Sequence, residues 1–220
     1  MKLAGLHKQA NKEPYWHVQV ALVLAVVFQL ILSDKLTIGP KYLLVGFEIS
    51  LLLLLAFFAP LEHSAVKHIR RTLAIVLIAA LSFANITSLI LVVSSLIGTR
   101  QVSGRQLIVS ALAIYLTNII IFGLWYWELD SNGSQDQKYE AKPIDFLFPQ
   151  MDVDSSLKAL KSWNPTFFDY LYVSVTNASA FSPTDTMPLT HRAKLLMSVQ
   201  STISLITIAL VAARAVNILS

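Results

Sequence analysis

The sequence predicts an all-α membrane protein with about five transmembrane helices, plus a short re-entrant, pore-like helix and an extended loop before the last span. Three observations carry that reading. Hydrophobic residues make up 55% of the 220-residue chain against 14% charged, and mean hydropathy is +0.61, far from the balance of a soluble domain. The apolar residues fall in long runs, with the charges gathered in the links between them. The stretch from Asn164 to Leu196 breaks that pattern: it is dense in hydroxyls, carries amide and acidic side chains, and is interrupted by prolines directly before the last apolar run. Polar groups kept beside a spanning helix face water, an ion, a partner or one another.

The net charge of +4 does not point to nucleic acid, because the bases sit in short segments between apolar runs. With no cysteine, disulfides, thiolate nucleophiles and thiol metal sites are excluded. Lys2, Lys8 and Lys12 precede Pro14 and the pair Tyr15 and Trp16, an aromatic belt at the start of a span. A cleavable signal peptide is not expected, since the first apolar run begins late and lacks a small-x-small site.

The first span is expected over His17 to Ser33, with Gln29 its strongly polar interior residue. Gly39 and Pro40 punctuate the turn into a second span, Tyr42 to Phe58. Glu48 lies well inside it, where a carboxylate costs about 2.5 to 3.5 kcal/mol on insertion scales. It reads as a protonated or interhelically hydrogen-bonded acid, as an ion- or proton-handling acid, or as a lipid-interface position. The following short loop holds Lys67, Arg70 and Arg71, a basic anchor suited to anionic lipid headgroups. Glu62, His63 and His68 are a weak metal constellation, because the histidines are five apart rather than one helical turn, and no metal or other cofactor is expected.

Thr72 to Ile97 forms the third expected span and contains Asn85, Thr87, Ser94 and Ser95, which read as helix-packing contacts. The fourth, Leu107 to Trp127, holds Thr117 and Asn118 and ends in an aromatic cluster. Glu128 to Trp163 is the one long hydrophilic segment, modestly acidic and too short for a second core. Within it the apolar island PIDFLFPQ is expected to rest on the membrane surface or on the protein, and VDSSLKALKSW to form a short interfacial helix. Asn164 and Pro165 signal a helix start, so a partly inserted helix is expected over Thr166 to Ala178. Pro183 and Pro188 make continuous helix through Ser179 to Thr190 improbable. The last span is expected over Ala193 to Val216, bearing Gln200, Ser201, Thr202, Ser204 and Thr207, with Arg214 near its end.

The order span, acidic loop, short helix, extended segment, span resembles the pore domain of the tetrameric potassium-channel superfamily. Tyr172 and Ser174 fall where that family's pore helix has an aromatic and a serine, and Asp185 falls on the acid closing the selectivity filter. Pro188, Leu189 and Thr190 follow as they do in the family, and Lys194, Leu195 and Leu196 stand where its inner helix opens. The departure lies in the filter, where Ser182, Pro183 and Thr184 replace Gly-Tyr-Gly and Ala180 and Phe181 precede them. Proline fixes φ, and neither serine nor threonine readily takes the positive φ that glycine allows, so a potassium-selective carbonyl filter is not expected. The resemblance implies residues 1–105 as a three-span region and 106–220 as a pore-domain-like region. It further implies a homo-oligomer, a tetramer by analogy, and a pore lined by Thr176, Asn177, Ser179, Phe181, Ser182, Pro183, Thr184 and Asp185. Glu48, Asn85, Asn118 and Gln200 are the expected intramembrane polar residues.

The chain is also similar to an uncharacterised bacterial family of multi-spanning proteins carrying a domain of unknown function. Phe168 to Ser174, Ser182 to Asp185 and Thr190 to Arg192 carry that likeness. It implies an architecture, and a bacterial inner-membrane location, rather than an activity. The leading functional expectation is therefore an ion channel or permeation protein without potassium selectivity. The alternative is a non-conducting scaffold or accessory subunit. An enzyme is not expected, because Glu48, Asp169, Asp185 and His191 lie on different segments without a catalytic signature. Sidedness stays open. Lys2, Lys8, Lys12, Lys67, Arg70 and Arg71 outnumber Lys35, Lys41, Arg100 and Arg105, favouring an inside N-terminus, whereas an outward-facing pore loop needs the opposite.

Overall fold

The computed structural model describes residues 16–32, 34–37, 40–58, 64–97, 102–131, 144–151, 163–180, 182 and 185–219. Six α-helices dominate these residues: α1 (Trp16–Ile31), α2 (Lys41–Phe58), α3 (Ser64–Ile97), α4 (Gly104–Ser131), α5 (Phe167–Ala180) and α6 (His191–Leu219). A two-residue strand β1 (Phe146–Leu147) pairs antiparallel with β2 (Met187–Pro188). Three helices, α3, α4 and α6, are long and apolar enough to cross a membrane. The apolar helices α1 and α2, of 16 and 18 residues, reach only about 24 and 27 Å at 1.5 Å per residue.

Local signals set the helix starts. Ser103 and Gln106 form a reciprocal cap on α4, each backbone N–H donating to the other's side chain at 3.3 Å. At α5 only one half of such a cap forms, the Asp169 carboxylate accepting from the Thr166 N–H at 2.7 Å and from its hydroxyl at 2.8 Å. The Thr190 hydroxyl caps α6 by accepting the Ala193 N–H at 3.3 Å. Two helices outrun the sequence reading. Helix α3 begins at Ser64, so Lys67, Arg70 and Arg71 belong to its first turns rather than to a loop. Helix α4 runs on to Ser131 and carries Glu128 and Asp130 with it.

Helix α4 is the hub, packed against α1, α3, α5 and α6. Its apolar residues face all round the axis, as a central helix requires, and Ile114, Ile121, Leu124 and Tyr126 are fully enclosed. A few contacts fix the helix directions. Arg71 pairs with Glu128 at 2.8 Å and the His17 ring lies 4.7 Å from that of Phe168, so α1, α3 and α5 begin at the end of the bundle where α4 finishes. At the opposite end Gly104 is covered by the Arg214 side chain, which sets the start of α4 beside the end of α6. Alongside its apolar core the bundle encloses several polar side chains and exposes large apolar ones. Glu48, Asn118, Ser174, Gln200 and Ser204 are fully buried, while Leu43, Leu53, Phe57, Phe83, Leu195 and Leu205 are exposed.

Candidate functional site

The polar stretch folds as α5 and a return segment, held by α4 and α6. Helix α5 runs antiparallel to α4 and parallel to α6: Tyr170 meets Asp130, Ser174 meets Ile119, and Asn177 meets Met197 and Gln200. Close approach depends on Gly123 of α4, where an added Cβ would lie 3.2 Å from the Leu171 backbone. At 14 residues α5 is about 21 Å long, half the length of α6.

A network of amides and hydroxyls occupies the space between these three helices. The Gln200 side chain uses its whole capacity: Oε1 accepts from the Tyr126 hydroxyl at 2.5 Å and from Asn177 Nδ2 at 2.8 Å, and Nε2 donates to the Ser174 hydroxyl and carbonyl at 2.6 and 3.0 Å. The Ser174 hydroxyl donates onward to the Ile119 carbonyl at 2.6 Å. Asn177 Nδ2 also reaches the Met197 carbonyl at 3.0 Å, and its Oδ1 accepts from Ser201 at 3.0 Å. One turn and more along α6, Ser204 accepts from Asn118 Nδ2 at 2.9 Å. Buried polar groups bonded to one another in this way fix the packing of the three helices.

A second cluster secures the return segment. Enclosed Asp145 accepts from the Thr190 hydroxyl and from Arg192 Nε at 2.7 Å, while its carbonyl accepts the Leu189 N–H at 2.8 Å. The Asp145 N–H donates to Asp130 Oδ1 at 2.6 Å, and the other Asp130 oxygen accepts from the Tyr170 hydroxyl, also at 2.6 Å. The apolar island therefore rests on the protein: Phe146 and Phe148 are buried, with the Phe146 ring 5.0 Å from Tyr126 and the Phe148 ring 5.2 Å from Tyr170.

The expected site residues divide between these surroundings. Asn177 and Gln200 share the network, and Asn118 joins it by donating to the Gln200 carbonyl at 3.4 Å as well as to Ser204. Thr176 and Ser179 spend their hydroxyls on their own helix, Thr176 on the Tyr172 and Val173 carbonyls and Ser179 on Val175. Ser182 and Asp185 are exposed. Phe181, Pro183 and Thr184 lie outside the described residues, as do the segment expected as an interfacial helix, except its last residue Trp163, and the side chain of Lys67. Arg70 is half-buried and Arg71 is engaged by Glu128. Asn85 is buried on α3, and Glu48 is enclosed on α2, far from α5 in the chain. Asp169 is a helix cap. Among the described residues no three His, Cys, Asp or Glu side chains converge as a metal site.

Sequence reasoning missed Asp130, Asp145, Tyr126 and Tyr170 as organising residues. The signal for Asp145 was an acid embedded in an apolar island; for the tyrosines, which lie in aromatic-rich runs, nothing distinguished them from a membrane belt. Comparison with protein-family models, curated proteins and solved structures finds no match for the chain.

Proposed function

We propose that the chain is the subunit of a homo-oligomeric membrane pore that passes small ions without potassium selectivity. In this reading α1, α2, α3, α4 and α6 all span the membrane and α5 with its return segment is a re-entrant hairpin. One observation carries it. Helix α5 starts where α4 ends and α6 begins, stops alongside the middle of α6, and the chain returns to the starting end, where β2 pairs with β1 and Thr190 bonds Asp145. Irregular backbone at membrane depth is tolerated only against protein or a watery cavity. The return segment offers exposed Ser182 and Asp185, whose side chains can meet their copies around an axis. A ring of acids prefers cations by charge, without the size-matched carbonyl cage that the missing glycines would have formed.

The second reading is a non-conducting scaffold with pore-domain architecture, and Asn177 favours it. Its amide is spent within its own subunit, so it has little left to offer an ion at an axis. Flux from liposomes separates the two. A pore gives cation flux that falls or reverses in preference with Asp185→Lys, while the fold and oligomer persist. A folded oligomer that passes no ion at any voltage, pH or lipid composition leaves the scaffold.

A further inference from the structure

Away from α5, the first three helices border a second polar site. Glu48 is 0% exposed, and among the described residues its carboxylate oxygens make no hydrogen bond of good geometry, with Gln29 alone close enough to supply one. Beside it lies the Gln29 side chain of α1, itself 5% exposed, with Nε2 unpartnered. Gln29 is also one wall of a cavity of about 60 Å³ whose other polar walls are Thr37, Thr87 and Ser88. Glu48 stands one turn along α2 from the wall residues Leu44 and Val45, and Gln29 both lines the cavity and lies beside the carboxylate. A single water needs roughly 10–15 Å³ on this measure, so the space admits an ion with water of its own.

We propose that this cavity binds a monovalent alkali cation of the sodium class. The Gln29 carbonyl oxygen and the hydroxyls of Thr87 and Ser88 are its neutral ligands, and Glu48 supplies the compensating charge through Gln29. The amide does both jobs at once, with Oε1 on the ion and Nε2–H donating to the carboxylate. The Thr87 hydroxyl proton is directed to the Phe83 and Ala84 carbonyls at 2.9 Å, which leaves its oxygen lone pairs available to a cation. All the donors are hard oxygens, which suit alkali and alkaline-earth ions rather than thiophilic metals. Charge then selects within that class. One carboxylate neutralises a single positive charge, whereas a divalent ion would leave a net charge in an apolar interior. The site shares no residue with α5 or its return segment, so it stands or falls independently of conduction.

The test uses purified full-length protein in detergent at constant ionic strength, exchanging choline chloride for NaCl, LiCl or KCl. Sodium is expected to raise the thermal midpoint of the natural chain by several degrees and ²²Na⁺ to be retained on it. Glu48→Gln and Ser88→Ala are expected to weaken both by about tenfold or more. Ser88→Ala guards against loss of fold in the first variant, and ²²Na⁺ retention by the unaltered protein stands without either. Absence of retention and of any sodium-dependent shift, or an equal shift in Glu48→Gln, overturns the site and leaves Glu48 a protonated acid bonded to Gln29.

Discussion

Arg192 grips Asp145 across 47 residues of sequence, Nε on Oδ1 at 2.7 Å and Nη2 against Oδ2 at 2.6 Å. The two-pronged pair joins the link between α4 and α5 to the first turn of α6. It holds the return segment at the end from which α5 sets out.

The partners are unequally exposed, Asp145 at 1% and Arg192 at 52% of the side chain. Asp145→Ala strands the Thr190 hydroxyl and frees the guanidinium, and is expected to cost about 1–3 kcal/mol. Arg192→Ala is expected to cost more, because the guanidinium freed by the first variant can turn to water, whereas the enclosed Asp145 carboxylate keeps the Thr190 bond alone beside the acid of Asp130. Thermal unfolding followed by tryptophan fluorescence ranks them; equal losses would count against this asymmetry.

Gln200→Leu removes four hydrogen bonds between α4, α5 and α6. Side-chain bonds in membrane proteins average about 0.6 kcal/mol, so a loss of about 2 kcal/mol is expected. Asn177→Leu shares partners with it, so the double variant should lose less than the two singles together, by about 0.5 kcal/mol or more. Strict additivity in a double-mutant cycle would mean that the network is not cooperative.

Gly123→Val places branched carbon against the Leu171 backbone, where even a Cβ would be 3.2 Å away. A cost of about 1–3 kcal/mol is expected from overpacking, with α5 displaced from α4. Gly46→Ala is the internal control, since nothing lies within 4 Å of its added carbon. That variant should be neutral or slightly stabilising, through better helix propensity. Comparable destabilisation of both glycine variants in the same assay would remove the close-approach argument.

Sidedness has a direct test in a chain without cysteine. If α5 and its return segment are a re-entrant hairpin, Ser134→Cys and Asp185→Cys react with an impermeant maleimide from one face of the membrane. Arg105→Cys, at the start of α4, reacts from the other. Labelling of the first two from opposite faces would make α5 a crossing segment. The same data decide between the basic-residue count and the outward loop.

Much of the helical order was legible because burial in lipid demands long apolar runs, and the observed helices lie close to those runs. The helix caps were partly legible too: Asn164 and Pro165 announced α5, whose cap is Thr166 with Asp169. The extension of α3 back to Ser64 was not, because the basic residues that open it read equally as loop. The partners of Asp145 were opaque for a different reason. Thr190 and Arg192 lie 45 and 47 residues away, and no local spacing encodes that meeting.

The sequence by itself determined a helical, membrane-compatible chain, the interruption before the last helix, and the absence of the glycines a potassium filter needs. These follow from transfer energies and backbone sterics, which act residue by residue. Only the tertiary structure decided that Asn177 and Gln200 spend their amides on each other. It also decided that the apolar island packs on Tyr126 and Tyr170, and that Gln29 stands beside Glu48 at a cavity. The reason is physical: a polar group in an apolar interior is defined by what lies within hydrogen-bonding distance, and helices far apart in the chain set that distance only when they pack.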